Sequence, residues 1–244
     1  MKALWILSAL LLSSHLCFGF TLNSTTNSSL KGWDNPDVQL LVNTTNCPSG
    51  VDVAALVNEA GEVWNNVGSS KVKVSYGGTT TSTSFANPTT VYCETNFQSV
   101  TGADQNYVPG AGAVDGSSGQ ITAGILILNA SGGLGNIGNF DHGQLVIIVA
   151  HEIGHILGLG HSQDENALMY YDASAKTTLN LAQDDIDGIT YLYPSDEFKD
   201  SHYMGCGLVK NQSPPSSGLR LCFSLLFLLP LLMLWRLRRL PYKT

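Results

Sequence analysis

The chain has 244 residues, of which 43% are hydrophobic and 13% are charged, and its formal net charge is −7. This composition argues against a disordered protein and predicts one globular domain with additional segments. All 19 acidic residues lie between Asp34 and Asp200, where only four lysines and no arginine accompany them. Such an acidic body would repel nucleic acid, so we expect no nucleic-acid partner.

Residues 1–19 have the pattern of a signal peptide. Lys2 precedes an apolar run over residues 3–12, and the small residues Cys17 and Gly19 fit the positions that signal peptidase recognises. An uncleaved N-terminal anchor is the alternative, although the run is short for a membrane span. We therefore expect a secreted or cell-envelope protein whose mature chain starts at residue 20.

Two of the five cysteines lie in the predicted globular body, and these are Cys47 and Cys93. In an oxidising compartment outside the cytoplasm, these two are expected to form a disulfide. Two free buried thiols are the alternative, because the sequence does not give the distance between their Cα atoms.

The body is predicted to contain strands and helices in mixed order. Hydrophobic periodicity predicts strands at 38–45, 71–78, 89–97 and 119–131 and helices at 51–67 and 180–194. The stretch from Thr79 to Gly119, rich in Thr, Ser and Gly, is otherwise predicted to be a long loop.

A further helix is predicted between Asp141 and Gly158. Asp141 as the N-cap and Gln144 three residues later form a capping-box pattern, and the apolar run over 145–150 predicts burial in the core. Gly158 and Gly160 would end this helix.

The C-terminal region has the composition of a membrane anchor or a sorting signal. A linker rich in Ser and Pro is predicted over residues 201–218, and residues 219–244 contain an apolar run that ends in a basic cluster. A permanent membrane anchor and a sorting signal of the bacterial envelope type both fit this pattern. A glycolipid-anchor signal fits less well, because its hydrophobic tail normally reaches the end of the chain.

The sequence HEIGHILGLGH holds three histidines within eleven positions. His151 and His155 are four residues apart, so on a helix both imidazoles project from one face and can bind one ion. Gly158 tolerates the positive φ needed to turn the chain and return His161 to the same ion. Three ligands leave a fourth position for water, which is typical of a catalytic zinc site, and Glu152 can reach that water.

This extended motif, with ALMYY at 167–171 and LAQDDIDGITYLYP at 181–194, resembles the metzincin zinc endopeptidases and, among them, the matrixins. The resemblance implies an α+β metzincin fold, with a mixed, mostly parallel twisted sheet, over a domain that we place at 20–200. It also implies a Met-turn at Met169, packed against a C-terminal helix that carries Asp184 and Asp185. The strand at 119–131 would edge the active-site cleft and pair with substrate.

The mechanism that the resemblance implies uses one zinc ion on His151, His155 and His161, with Glu152 as general base. The ion polarises a water and the scissile carbonyl, and Glu152 moves the proton of that water to the leaving amine. We therefore expect a monomeric metalloendopeptidase that cleaves extracellular or envelope proteins. A catalytically silent zinc-containing surface binding module is the alternative, and a peptidase dedicated to a single partner also fits.

Several departures from the matrixin pattern are visible. Fewer than 20 residues separate Gly19 from the first predicted strand, so neither a propeptide nor a cysteine switch is expected. The pattern for a second, structural zinc is also not visible, and His142 and His202 are predicted to be surface residues. Calcium is possible through carboxylates such as Asp104 and Asp115, although scattered carboxylates are usually only solvated.

Tyr171 is another departure, because matrixins usually have Pro two residues after the methionine. Astacins and serralysins have Tyr there. The resemblance to those relatives suggests that the Tyr171 phenol contributes to the zinc or to the developing oxyanion. The alternative is that Tyr171 packs in the wall of the specificity pocket.

Overall fold

The structure is a computed structural model that describes residues 19–25, 28–29, 31–117, 119–172 and 176–195. Residues 1–18 of the predicted signal peptide, His202, the linker and the apolar tail lie outside the described residues. Among the described residues, no helix combines the length and hydrophobicity needed to cross a membrane.

Strands and helices follow one another in mixed order along the described chain. The strands are β1 (Ser24–Thr25), β2 (Ser28–Ser29), β3 (Asp37–Asn43), β4 (Lys73–Thr79), β5 (Thr89–Glu94), β6 (Gly110–Ser117) and β7 (Gln120–Asn129). The helices are α1 (Val53–Asn65), α2 (Phe97–Thr101), α3 (His142–Ile156) and α4 (Gln183–Leu192), with a short 3-10 helix at Ile137–Asn139.

Five strands form one mixed sheet in the order β4-β3-β5-β7-β6. The first four are parallel to one another, and β6 pairs antiparallel with β7. The fold is therefore α+β with a mixed, mostly parallel sheet, as predicted. Residues 125–128 of β7 are all buried, because β7 lies inside the sheet and not at its edge.

The prediction named the wrong strand as the edge of the sheet. The strand at 119–131 corresponds to β7, but β6 covers its outer side and takes the edge position itself. We predicted a loop at residues 110–117 because their Gly-rich sequence, GAGAVDGS, has almost no hydrophobic pattern. Antiparallel pairing with β7 supplies the order that local propensity does not.

Caps and buried indoles fix the two long helices. Asp52 accepts a hydrogen bond from the Ala55 N–H at the start of α1, and Asp141 and Gln144 form the predicted capping box of α3. The fully buried Trp64 of α1 donates from Nε1 to the Ala150 carbonyl of α3 at 2.9 Å. This contact joins the two helices directly beneath the histidine motif.

The predicted disulfide between Cys47 and Cys93 is present, with 5.0 Å between the Cα atoms. It connects the segment between β3 and α1 to strand β5. Both cysteines therefore belong to the core of the domain, and the free-thiol alternative is wrong.

Candidate active site

Helix α3 carries two of the predicted metal ligands and the predicted base. His151 and Glu152 are buried in its last turns, and His155 is partly buried one turn later. The two histidine rings lie with their centroids 4.9 Å apart, as expected for positions i and i+4 on one helix face.

Gly158 turns the chain out of α3. Its φ is +105°, a left-handed conformation that side chains with a Cβ rarely adopt. The turn brings His161 back to the helix, so that its Nε2 lies 3.2 Å from Nε2 of His155. Potential ligand atoms of His151, His155 and His161 all lie within 4.8 Å of one another.

Backbone carbonyls orient two of the three imidazoles. His151 Nδ1 donates to the Leu168 carbonyl at 2.7 Å, and His155 Nδ1 donates to the Leu159 carbonyl at 2.9 Å. A carbonyl can only accept, so Nδ1 carries the hydrogen and Nε2 keeps its lone pair for a metal.

Burial keeps these imidazoles neutral. Loss of hydration, with the nearby histidines as a smaller cause, lowers the pKa of His151 to about 3. Loss of hydration lowers the pKa of His155 to about 4 and also lowers the pKa of His161. Neutral imidazole is the form that binds metal ions, so the site favours metal binding at neutral pH.

The donor set fits zinc. Two histidine nitrogens on one tetrahedral zinc, at bonds of about 2.05 Å, lie roughly 3.3 Å apart. The 3.2 Å between Nε2 of His155 and Nε2 of His161 matches that separation. His151 supplies a third nitrogen to the same group, so the three side chains offer the ligand set of a zinc site.

Glu152 lies where helix α3 meets edge strand β6. Its Oε2 accepts a hydrogen bond of 2.6 Å from the backbone N–H of Gly112. Burial raises the pKa of Glu152 to about 7, and the Gly112 N–H only partly opposes that rise. A carboxyl group with this pKa can both accept and return a proton near neutral pH.

Asp185 of α4 holds the Met-turn. Its carboxylate accepts hydrogen bonds from the backbone N–H groups of Leu168 and Met169, at 2.7 and 2.9 Å. The buried Met169 side chain lies against Gly154, where an added Cβ would overlap its Sδ. The packing of α4 on this turn, which the resemblance implied, is therefore present.

Residues 20–23 brace the turn that carries His161. The Gly160 N–H donates to the Thr21 carbonyl at 2.8 Å, and Thr21 Oγ1 donates to the His161 carbonyl at 2.7 Å. Asn23 Nδ2 donates to the His155 carbonyl at 2.9 Å. No element was predicted for this segment, because four residues are too few to show a hydrophobic period.

The three histidines and Glu152 line a cleft of about 300 Å³. The first residues of β6 and Tyr171 also line this cleft. Tyr171 is 66% exposed, and its ring lies 4.3 Å, between centroids, from the ring of Tyr170. The hydrogen bond between these two phenols is the main cause that raises the pKa of Tyr170 to about 12.

Within the described residues, the histidine cluster is the one group of three or more ligand-type side chains close enough to share a metal ion. Asp104 and Asp115, considered above for calcium, accept hydrogen bonds from the backbone N–H groups of Asn106 and Gly116, respectively. His142 is exposed, as predicted, and lies 2.8 Å from the Glu59 carboxylate.

A five-stranded mixed sheet, a helix with paired histidines and a Met-turn together define the metzincin fold. The chain belongs to the matrixin family, because the family model described as Matrixin, of peptidase family M10, matches residues 40–194.

Individual relatives agree over shorter stretches. The chain is 60% identical to metalloendoproteinase 1 of Glycine max over 51 residues, which are 20% of this chain and 17% of that protein. It is 42% identical to matrix metalloproteinase-18 of Xenopus laevis over 73 residues, 25% of this chain and 16% of that protein. It is 52% identical to neutrophil collagenase of Homo sapiens over 52 residues, 20% of this chain and 11% of that protein. The alignments thus span less than a fifth of each of these relatives.

Gly112, Thr21 and Asn23 contribute to the site but were not among the predicted residues. Gly112 carried one usable signal, since alternating glycines in GAGAV fit a strand that approaches another backbone closely. Thr21 and Asn23 carried none, because their contacts are with residues more than 130 positions away.

Proposed function

We propose that the protein is a zinc-dependent endopeptidase. The observation that carries the proposal is the convergence of His151, His155 and His161 in a cleft beside the buried carboxyl group of Glu152. Membership of the matrixin family supports the same activity. In this proposal the three histidines bind one zinc ion, and Glu152 is the catalytic residue.

When bound, zinc would supply polarisation of a water molecule and of the scissile carbonyl. Glu152 accepts the proton of the attacking water and returns it to the leaving amine. The Gly112 N–H holds the carboxyl group toward the cleft during both transfers. Burial supports this role, because a pKa of about 7 balances proton uptake against proton release.

The substrate would bind as an extended strand along β6. Within the described part of the sheet, β6 pairs only with β7, so its other edge offers backbone groups to a peptide. Main-chain hydrogen bonds accept many sequences, and side-chain contacts in the cleft would then select among them. We propose protein or peptide substrates outside the cytoplasm.

The disulfide supports the proposed location, because such bonds persist in oxidising compartments. We propose that residues 1–19 direct export, that residues 20–200 act as a monomeric domain, and that residues 219–244 tether or sort it at the envelope. Residues 201–218 would serve as the linker.

The proposal can be tested by hydrolysis of a dye-labelled unfolded protein by the full chain. We expect cleavage that a chelator abolishes, that zinc restores, and that Glu152→Gln lowers by at least about 10³-fold. Glu62→Gln on the exposed face of α1 is the matched control and should cleave normally. Cleavage that survives the chelator or Glu152→Gln would contradict the mechanism. Zinc binding without any cleavage would favour the binding-module alternative.

A further inference from the structure

The loop at residues 103–109, hereafter the rim loop, precedes β6 and forms part of the cleft wall. We propose that Tyr107 of this loop contacts a large apolar or aromatic side chain of the substrate, and that Asn129 is the positioning residue that holds the loop. This proposal rests on the peptidase function proposed above, since it names a substrate feature that the same cleft selects.

Asn129 is the last residue of β7 and is fully buried. Its Nδ2 donates to the carbonyls of Gln105 and Val108, at 2.9 and 2.8 Å. Its Oδ1 accepts a hydrogen bond of 2.9 Å from the Ser131 N–H. Asn129 thus donates both amide hydrogens to the rim loop. A buried amide whose donors and acceptor are all hydrogen-bonded holds its partners in one arrangement.

Backbone contacts complete the support of the rim loop. The Asn129 N–H donates to the Pro109 carbonyl at 2.9 Å, and the Val108 N–H donates to the Asp104 carbonyl at 3.0 Å. The Gly135 N–H reaches the Gln105 carbonyl at 3.1 Å. These hydrogen bonds anchor the backbone of the rim loop to the end of β7 and to Gly135.

Tyr107 is presented by this anchored backbone. Its side chain is 76% exposed, yet it lines the same cleft as the three histidines and Glu152. A tyrosine on a fixed backbone offers a large contact area at a small cost in conformational entropy. This combination suits the recognition of a substrate side chain better than it suits the packing of the domain.

The position of the recognised side chain follows from strand direction. A peptide that pairs antiparallel with β6 has its C-terminal part beside the first residues of β6, next to the rim loop. Gly112 marks the reaction point, because it contacts Glu152. β6 begins two residues before Gly112, so the rim loop that precedes it would face side chains from roughly the second or third position after the scissile bond.

The test compares two peptides that differ only in having Phe or Ala at the second and third positions after the scissile bond. We expect the full-length protein to prefer the Phe peptide about tenfold in kcat/KM, mainly through KM. Tyr107→Ala should remove that preference. Asn129→Leu should remove it as well, although Tyr107 is still present, because the rim loop is no longer held.

The matched control for Asn129→Leu is Asn65→Leu. Asn65 makes a similar pair of bonds, to the N–H and carbonyl of Val74, at 2.6 and 2.9 Å, but it lies outside the residues that line the cleft. This control should lower the Tm and keep the preference for Phe. If Asn129→Leu fails to fold, Asn129→Ser gives the same test.

Binding of the same peptides to the Glu152→Gln protein separates this proposal from the peptidase proposal. We expect the Phe peptide to bind with a lower Kd than the Ala peptide, and Tyr107→Ala to remove this difference. That result supports the recognition role even if the unchanged chain cleaves neither peptide. The proposal would be overturned if the Tyr107→Ala and Asn129→Leu proteins kept the same preference for the Phe peptide as the unchanged protein, in both cleavage and binding.

Discussion

The backbone N–H of Gly112 donates a hydrogen bond of 2.6 Å to Oε2 of Glu152. Edge strand β6 and helix α3 therefore meet at the carboxyl group that we propose as the base. The strand that would bind substrate thus also orients the group that would activate water.

The close approach of β6 to α3 requires glycine at position 112. A Cβ there would overlap the Glu152 carbonyl oxygen and lie 3.2 Å from Cβ of His155. We expect Gly112→Ala to push the strand from the helix and to lower kcat/KM by about a hundredfold. Steady-state kinetics on a peptide substrate would measure this effect. Gly68→Ala, where an added Cβ meets nothing within 4 Å, should leave kcat/KM unchanged, and equal effects of both changes would contradict the explanation.

Loss of the Asp185 carboxylate should loosen the Met-turn and thereby lower the affinity for zinc. Asp185→Asn replaces one of the two accepting carboxylate oxygens with an NH2 group that cannot accept, at a cost of about 1–3 kcal/mol per N–H left unpaired. Because Leu168 also orients His151, we expect zinc affinity to fall by about tenfold or more. Urea unfolding and chelator competition would measure the two effects. Asp187→Asn, on the exposed face of α4, is the control, and a normal zinc affinity for Asp185→Asn would refute the coupling.

Tyr171 lines the cleft with a largely exposed side chain, so its phenol is available to a substrate. We expect Tyr171→Phe to lower kcat by about a hundredfold with little change in KM, as removal of an oxyanion donor does. An unchanged kcat/KM would exclude this role and favour the alternative that Tyr171 packs in the pocket wall. Tyr191→Phe, an exposed tyrosine on α4, is the control.

The metal-free protein should lose stability in mild acid. Burial lowers the pKa of His151 to about 3 and of His155 to about 4, so below about pH 6.5 the unfolded chain binds protons that the folded chain does not. Stability therefore falls as the pH drops from about 6.5 toward 4.

Glu152 opposes this trend. Its raised pKa of about 7 means that the folded state keeps a proton that the unfolded state has already lost, so acid favours folding through this group. The Tm of chelator-treated protein should fall on acidification, and more steeply in Glu152→Gln. A Tm of the Glu152→Gln protein that does not change between pH 6.5 and 4.5 would contradict the assignment.

The disulfide should supply a large part of the stability. Cys47 and Cys93 are 46 residues apart, and closing a loop of that length in the unfolded chain corresponds to about 4 kcal/mol. Replacement of both cysteines by serine should lower the free energy of unfolding by roughly that amount in urea melts. Reduction of the unchanged protein should have a similar effect, and a loss below about 1 kcal/mol would show that the bond adds little.

The predictable part of the site is local in sequence. The spacing of His151, Glu152 and His155 on one helix and the left-handed turn at Gly158 follow from residues within eleven positions, so periodicity and backbone sterics determine them. The capping box of α3 and the long helices were predicted for the same reason.

The contacts that complete the site are long-range, and only the tertiary structure decided them. Residues 110–117 have little strand propensity of their own, and pairing with β7 places them at the edge of the sheet in place of the predicted strand. The amide of Asn129 and the brace from Thr21 likewise act on segments distant in the chain. Local sequence thus determined which groups could bind a metal ion, while strand order and packing decided which backbone and which side chains surround it.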